Sequence, residues 1–489
     1  MGGGLAGLSS AVALAESGLR VCLLEKRPHL GGRATSYALP DGSQVDNCQH
    51  ITLGCCTNLA DFYRRAGAEG KIRQYDSLLF ADGQGKRSRM SSSWLPAPFH
   101  LAPSFLRFSA LGLKDKRGIA RLLMKLARSG GQPGGALGVS MLDWLRLHGQ
   151  TEMAISRFWA TVLVSALNEE LAATDAQYGV DVFWKSFMAN RRGFRLGVPS
   201  VPLAELYDGC RAAIEARGGS VHCRTGVKKI LTPDGRFAGV MTESGEEIRA
   251  DAGIAGMTHD VLLEILPADV LEGSAALQNL KQLRPSPITS THFWFDRQVM
   301  SEPFVAVLDK TIQWVFNKSL LSGTPNELGQ PLKNSAPWAP GALTAGSTSE
   351  DSGFSGKQYL QVVISASYGL VRKSRQEIID LCISEIGDVL PAARNARLIK
   401  ATVIKEVAAT FSPEPGVDQW RIGPESPINN LWLAGDWTRT GWPATMEGAV
   451  RSGYQAAEAL LATRGDNRKF VQADLPVEGL ARWLSKRKN

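Results

Sequence analysis

The feature that most constrains this chain is a glycine pattern in its opening residues. Gly2, Gly4 and Gly7 form a G-x-G-x-x-G that runs directly into a helical stretch, in which Leu5, Leu8, Val12 and Ala15 share one face. Gly18 ends that helix. Val21 to Leu24 then read as a buried strand, with Glu25 at its end. This is the pattern of a dinucleotide site. The first glycines let the backbone turn and approach a pyrophosphate, the third lets helix and strand pack closely, and the helix N-terminus offers N–H groups to the phosphates. Glu25 stands 18 residues after Gly7, placed to accept the adenosine ribose hydroxyls. An acid there favours a free 2′-hydroxyl, hence FAD or NAD over NADP. No second glycine fingerprint follows, so no internal NADPH site is expected. The fingerprint also calls for a strand before the glycines, and the sequence predicts one of about 5–6 residues upstream of Met1.

Composition narrows the class. A chain of 489 residues with 44% hydrophobic and 21% charged residues is globular and long enough for two or three domains. It contains no run of about 18 apolar residues, so no transmembrane helix is expected, and no secretory signal is evident. Seven cysteines, an odd number without C-x-x-C, fit a reduced, cytoplasmic location. Among them Cys55-Cys56 read as two buried thiols. No metal-ligand spacing is present. The net charge of +8 is spread along the chain without a nucleic-acid-binding module, and it suits an anionic membrane surface.

Four further stretches carry information. Asp46-Asn47-Cys48-Gln49-His50 is a dense polar run just after the first strand. It reads either as a hydrogen-bonded turn or as a loop that brings Gln49 or His50 to the cofactor. Residues 91–130 set Trp94, Phe99, Phe105 and Phe108 among prolines, before a helix carrying Lys114, Lys116, Arg117, Arg121, Lys125 and Arg128. That pairing suits an element lying on a membrane, or a buried cap with a solvated basic face. Residues 140–190 are helical and rich in Trp and Phe, broken by Asn168-Glu169-Glu170; they wall an apolar cavity or form an ordinary core. Leu431 to Asp436 is a strand ending in Gly435-Asp436, which presents a carboxylate to the cofactor's ribityl or pyrophosphate region. Thr445, Met446 and Glu447 then open a second helix whose N–H groups face the flavin edge, where they offset negative charge on the reduced ring. The final stretch through Lys488 is a basic tail.

The second glycine pair in Leu30-Gly31-Gly32-Arg33 resembles the flavin amine oxidase and carotenoid-desaturase superfamily. That resemblance places Gly32 and Arg33 by the FAD pyrophosphate and the Val227 backbone by the adenine. Several segments are similar to one family within it, hydroxysqualene dehydroxylase, the squalene-associated FAD-dependent desaturase of the hopanoid route. They are Asp46 to His50, Phe293-Trp294-Phe295-Asp296, Gln313 to Phe316, Ala409-Thr410-Phe411 with Pro415-Gly416, and Ala434-Gly435-Asp436 through Gly453. Two positions depart from it: Cys48 stands where glycine is expected, and Glu406-Val407-Ala408 lacks an expected basic residue.

The resemblance implies an α/β, Rossmann-like FAD-binding domain (residues 1–75, 205–260 and 395–465) with an interleaved α+β substrate domain (76–204 and 261–394), amine-oxidase-like overall. Residues 466–489 form the tail. It implies a hydrophobic isoprenoid substrate and reductive removal of an allylic hydroxyl, with a peripheral place on the inner face of the membrane beside neighbouring squalene-pathway enzymes. His50, Asp46 and Glu169 are candidates for the general acid, His50 foremost. The alternatives are an oxidative flavoenzyme on the same fold, either a polyene desaturase or an amine oxidase, and a non-enzymatic lipid carrier or scaffold.

Overall fold

The computed structural model describes residues 1–132, 134, 138–322 and 357–486. The end of the basic tail, with Arg487 and Lys488, lies outside them.

The opening helix, Leu5–Glu16, is buried along Leu5 to Ala15. That depth follows from its composition of Ala, Leu, Val, Gly and Ser, which lets other helices approach on more than one side. It packs against the Met446–Ala462 and Asp208–Glu215 helices. At Gly453 an added Cβ would lie 2.2 Å from the Ala6 carbonyl oxygen, so the first and last of these three helices touch through their backbones.

Two parallel strand pairs lie beneath the helices. Cys22–Glu25 pairs with Ser220–Cys223, and Gly253–Ala255 pairs with Leu431–Leu433. Met1 and Gly2 bridge the pairs. The Met1 ammonium donates to the Ile254 carbonyl (2.9 Å), the Gly256 N–H donates to the Met1 carbonyl (2.8 Å), and the Gly2 N–H donates to that of Leu24 (2.8 Å). The expected short strands between Ser220 and Ala255 are present, and Val227–Leu231, Gly239–Thr242 and Glu247–Arg249 form an antiparallel meander.

The other half is built on a seven-stranded sheet. In spatial order its strands are Leu398–Phe411, Pro285–Phe295, Gln358–Ser365, Trp314–Asn317, Phe304–Val307, Ser77–Ala81 and Arg87–Ser91. All neighbours run antiparallel except Phe304–Val307 beside Ser77–Ala81. Leu398–Phe411 falls in the stretch expected with the nucleotide half. It sits instead at the edge of this sheet, where its pairing with Pro285–Phe295 is the longest ladder among the described residues.

Alternation along these strands makes two different faces. Phe293, Phe295, Val305, Val315, Leu360 and Val362 form one core with Ile378, Cys382 and Ile386 of the Arg375–Val389 helix. That helix starts where Ser374 and Glu377 form a capping box. The opposite face carries Ser290, His292, Gln361 and Tyr359, all buried. His292 Nδ1 lies 2.7 Å from the Tyr359 hydroxyl, and the Gln361 amide donates to Ser290 Oγ at 2.8 Å. The aromatic residues between 144 and 194 pack mostly on one another, as in Trp159 against Phe183 at 4.4 Å between centroids. The seven cysteines are free thiols, and no described helix is long and apolar enough to cross a membrane.

Burial holds His292 neutral by pushing its pKa down to about 3. The unfolded chain therefore binds a proton that the folded chain refuses between that value and the ordinary histidine range. Stability is expected to fall as pH drops from 7 toward 4. Calorimetric melting of wild type and His292→Gln across that range should give a shallower pH slope for the variant; equal slopes would remove His292 as a cause.

Candidate flavin site

The two halves enclose a cavity of about 860 Å³. Its wall begins with backbone. The Leu5–Glu16 helix starts at Gly4 with no side-chain cap and no acid in its first turn, so its first N–H groups are open to an anion. Gly4 and Gly32 face each other so closely that a Cβ on Gly32 would lie 3.0 Å from the Gly4 Cα. Gly2 (φ +93°) and Gly32 (φ +60°) hold conformations that side chains resist, and both line the cavity. Gly7 lies just outside it. A Cβ there would fall 1.9 Å from the Gly2 carbonyl oxygen, so its role is the close packing expected of the third glycine.

Charged residues complete this part of the wall. The Glu25 carboxylate accepts from the N–H groups of Gly3 (2.5 Å) and Arg27 (2.7 Å) and is fixed at the cavity edge. Arg33 donates to the Asp436 carboxylate at 2.6 Å and to the Ala409 carbonyl at 2.8 Å. That carbonyl is available because the Leu398–Phe411 strand slips register against its neighbour: Ser286 pairs with Thr410 but Ile288 with Glu406. Gly435, Asp436, Thr445, Met446 and Val227 also line the cavity. Thr445 caps the second helix through Oγ1, which accepts from the Gly448 N–H. A glycine cradle, two helix N-termini and an acid at the first strand's end are together the shape and donor set that an adenine dinucleotide requires.

Of the residues singled out in the sequence, Glu447 turns elsewhere. Its buried carboxylate accepts from the N–H groups of Asn58 (3.1 Å) and Leu59 (2.8 Å) and from the Asn58 amide (2.7 Å). It caps the Thr57–Arg65 helix from a distance in sequence, and burial raises its pKa.

Among the three acid candidates, only His50 reaches the cavity. His50 Nδ1 lies 3.0 Å from the Cys48 carbonyl. A carbonyl only accepts, so Nδ1 carries the proton and Nε2 presents a lone pair. Burial lowers the His50 pKa from its ordinary value. Asp46 is held behind the wall. Its carboxylate takes Lys318 Nζ at 2.8 Å, Ser36 Oγ at 2.5 Å and the Leu203 N–H at 3.1 Å, with both Asp46 and Lys318 buried. An acid paired this way stays ionised, and burial is outweighed by Lys318 in a pKa that is lowered overall. Lys318 also donates to the Gln49 amide oxygen at 2.8 Å, which fixes the loop bearing His50. Glu169 is likewise outside the wall. It accepts from the Tyr368 hydroxyl (2.6 Å) and the Glu170 N–H (2.9 Å), while its neighbour Asn168 lines the cavity.

Two contributors were given no site role from the sequence. Glu406 lines the cavity in the strand where a basic residue was expected. Arg421, fully buried, donates to the carbonyls of Asp436 (3.1 Å), Thr438 and Trp442 (2.9 Å) and lies 5.0 Å from the centre of the Phe411 ring. It ties down the loop after Asp436 from behind.

Glu447→Ala is expected to lower stability by about 1–3 kcal/mol, from orphaned N–H groups at the Thr57–Arg65 helix, with the absorbance of the protein loaded with FAD unchanged. Thermal melts and spectra of the purified variant check this. A shifted spectrum at an unchanged melting point would return Glu447 to the cofactor.

The chain is 26% identical over 480 residues to 15-cis-phytoene desaturase of Capsicum annuum, covering 94% of this chain and 77% of that one. It is 25% identical over 493 residues to zeta-carotene desaturase of Synechocystis sp., covering 97% and 99%. Solved structures of the same fold include an oxidoreductase from Methanosarcina mazei (TM-score 0.68, 18% identity, 92% and 97% covered). Cyclohexylamine oxidase from Brevibacterium oxydans is another (TM-score 0.64, 16% identity, 95% and 98% covered). The family model for flavin-containing amine oxidoreductases matches residues 5–461, and the chain belongs to that family.

Proposed function

We propose that this protein binds FAD in the 860 Å³ cavity and carries out the reductive dehydroxylation of hydroxysqualene to squalene. One observation carries the reading: a titratable side chain, His50, stands in the same wall as the residues suited to the cofactor. Removing hydrogens from a polyene needs no proton donor for a leaving oxygen, whereas removing a hydroxyl does. Reduced FAD, when bound, supplies the hydride that replaces the lost hydroxyl.

The remaining work falls to the chain. Gly2, Gly4 and Gly32 admit the pyrophosphate, and Glu25 takes the ribose. Arg33 is neutralised by Asp436, so the pair adds polarity without net charge. Lys318, through Gln49, orients the loop that holds His50. Protonated at Nε2, His50 delivers that proton to the departing oxygen. Ile288, Val363 and Ala166 make the cavity apolar where an allylic cation must be kept from water.

The test is anaerobic. Reduced holoenzyme is mixed with hydroxysqualene, and flavin absorbance and products are followed together. Reoxidation with squalene formation is expected, and His50→Ala should slow it at least tenfold with FAD still bound. The proton-donating form of His50 is the minor one above its lowered pKa, so the rate should fall as pH rises through a value below the ordinary histidine range. A rate independent of pH and of His50 would remove that residue. The similarity to phytoene and zeta-carotene desaturases supports a second reading, polyene desaturation. In that case the reduced flavin stays reduced and the oxidised form is bleached by a polyene.

A further inference from the structure

The acids described so far have their oxygens engaged. Glu25 holds two N–H groups, Asp46 holds Lys318, Glu169 holds Tyr368, Asp436 holds Arg33 and Glu447 holds the Thr57–Arg65 helix. Glu406 is the exception. It lines the flavin cavity, half-buried, and among the described residues no hydrogen bond or ion pair ties its carboxylate down. Arg33 stands within range of its charge. The Arg33 guanidinium, however, is already shared between Asp436 and the Ala409 carbonyl.

The sheet sets its position. Glu406 pairs with Ile288 and Ile288 with Ser365, so the three side chains share one face, and all three line the cavity. Val363, on the same face, extends the apolar wall. Directly after Glu406 the strand bulges, and residues 407–409 stand opposite Pro287 alone. Asn168 pins the far side of that bulge. Its amide donates to the Thr410 hydroxyl (2.9 Å) and the Ser286 carbonyl (3.1 Å), and it accepts from the Ala366 N–H (2.8 Å). A fixed backbone thus holds an unpaired carboxylate at the border of a carbon-lined wall, where its charge acts with less screening than in water.

We infer that Glu406 is an anionic subsite for a positively charged centre in the ligand, and in the proposed reaction a catalytic residue that stabilises the allylic cation. In that reaction the C–O bond breaks with its electron pair going to oxygen, and the proton from His50 makes the leaving group water. The allylic carbon carries positive charge until hydride from reduced FAD forms the new C–H bond. Glu406 exchanges neither proton nor electron pair in these steps and acts by charge alone. The basic residue expected in this strand would oppose such a cation, and the acid that stands there favours it. The allylic identity of the cation rests on the dehydroxylase reading, whereas the subsite itself rests on the wall.

Binding of a cation mimic tests the subsite without turnover. Calorimetric titration of the oxidised, FAD-loaded protein compares N,N-dimethyldecylamine, a cation at neutral pH, with decanol, a neutral chain of the same length, both below micelle formation. Wild type is expected to bind the amine about tenfold more tightly than the alcohol. Glu406→Gln should lose that preference while keeping wild-type affinity for decanol, FAD content and melting temperature. With hydroxysqualene its kcat should fall about tenfold at an unchanged KM, because the charge develops only after the substrate is bound. Equal affinities for amine and alcohol in wild type would overturn the inference, and so would a preference that survives in Glu406→Gln. An unchanged kcat would overturn the catalytic role. A wild type that forms no squalene yet prefers the amine through Glu406 would sink the dehydroxylase reading and leave the subsite standing.

Discussion

Backbone resting directly on backbone is the constraint from which the nucleotide half follows. Gly7 against the Gly2 carbonyl and Gly453 against the Ala6 carbonyl are contacts that any Cβ would break, and Gly4 faces Gly32 with little room to spare. They draw the first helix down onto Met1 and Gly2 and sideways onto the last helix, and so fix where its N-terminus points. What the first helix offers to an anion depends on that aim. Glycine loses more freedom on folding than any other residue, and that cost is met by the apolar burial of nearly the whole first helix.

The other wall is set by pairing of charges. Asp46 and Lys318 neutralise each other inside the protein, and Lys318 reaches on to Gln49. Arg33 and Asp436 do the same at the cavity surface. Buried pairs of this kind add little net stability, because desolvation offsets attraction, but the geometry they hold is narrow. Here each pair joins an early loop to a late element, and the loops so joined are those lining the cavity. Arg421 works in the same sense: it pairs with the Asp418 carboxylate at 2.8 Å and gathers the carbonyls of Asp436, Trp437, Thr438 and Trp442.

Much of this was legible in the sequence where the signal is local. The glycine spacing, the strand after it and the Gly435-Asp436 turn specify their own backbone, and the Arg375–Val389 helix announces itself by the Ser374 and Glu377 box. Residues whose role lies in a distant partner were not legible. Glu447 sits inside the most specific motif of the chain, yet its carboxylate serves the helix at residues 57–65, which no spacing reveals. Asp46 and Glu169 have the chemistry of acids, but Lys318 and Tyr368, far along the chain, decide that they face away from the cavity. The Leu398–Phe411 strand precedes a cofactor motif in sequence and belongs to the other sheet in space. Arg421 has no pattern around it at all.

The contacts that join the first and last elements of the nucleotide half are also among the longest in the chain. Arg33 meets Asp436 across 403 positions, Ser9 meets the Val450 carbonyl across 441, and Asn58 meets Glu447 across 389. Chains are made from the N-terminus, so the glycine cradle leaves the ribosome long before anything exists to shut it. Pairings this distant form late, since the whole intervening loop must first be ordered. Cofactor capture in such a molecule belongs to the end of biosynthesis. Until the last helix arrives, the first one is an exposed, apolar, aggregation-prone segment, and the time spent in that state grows with the length of chain still to be made.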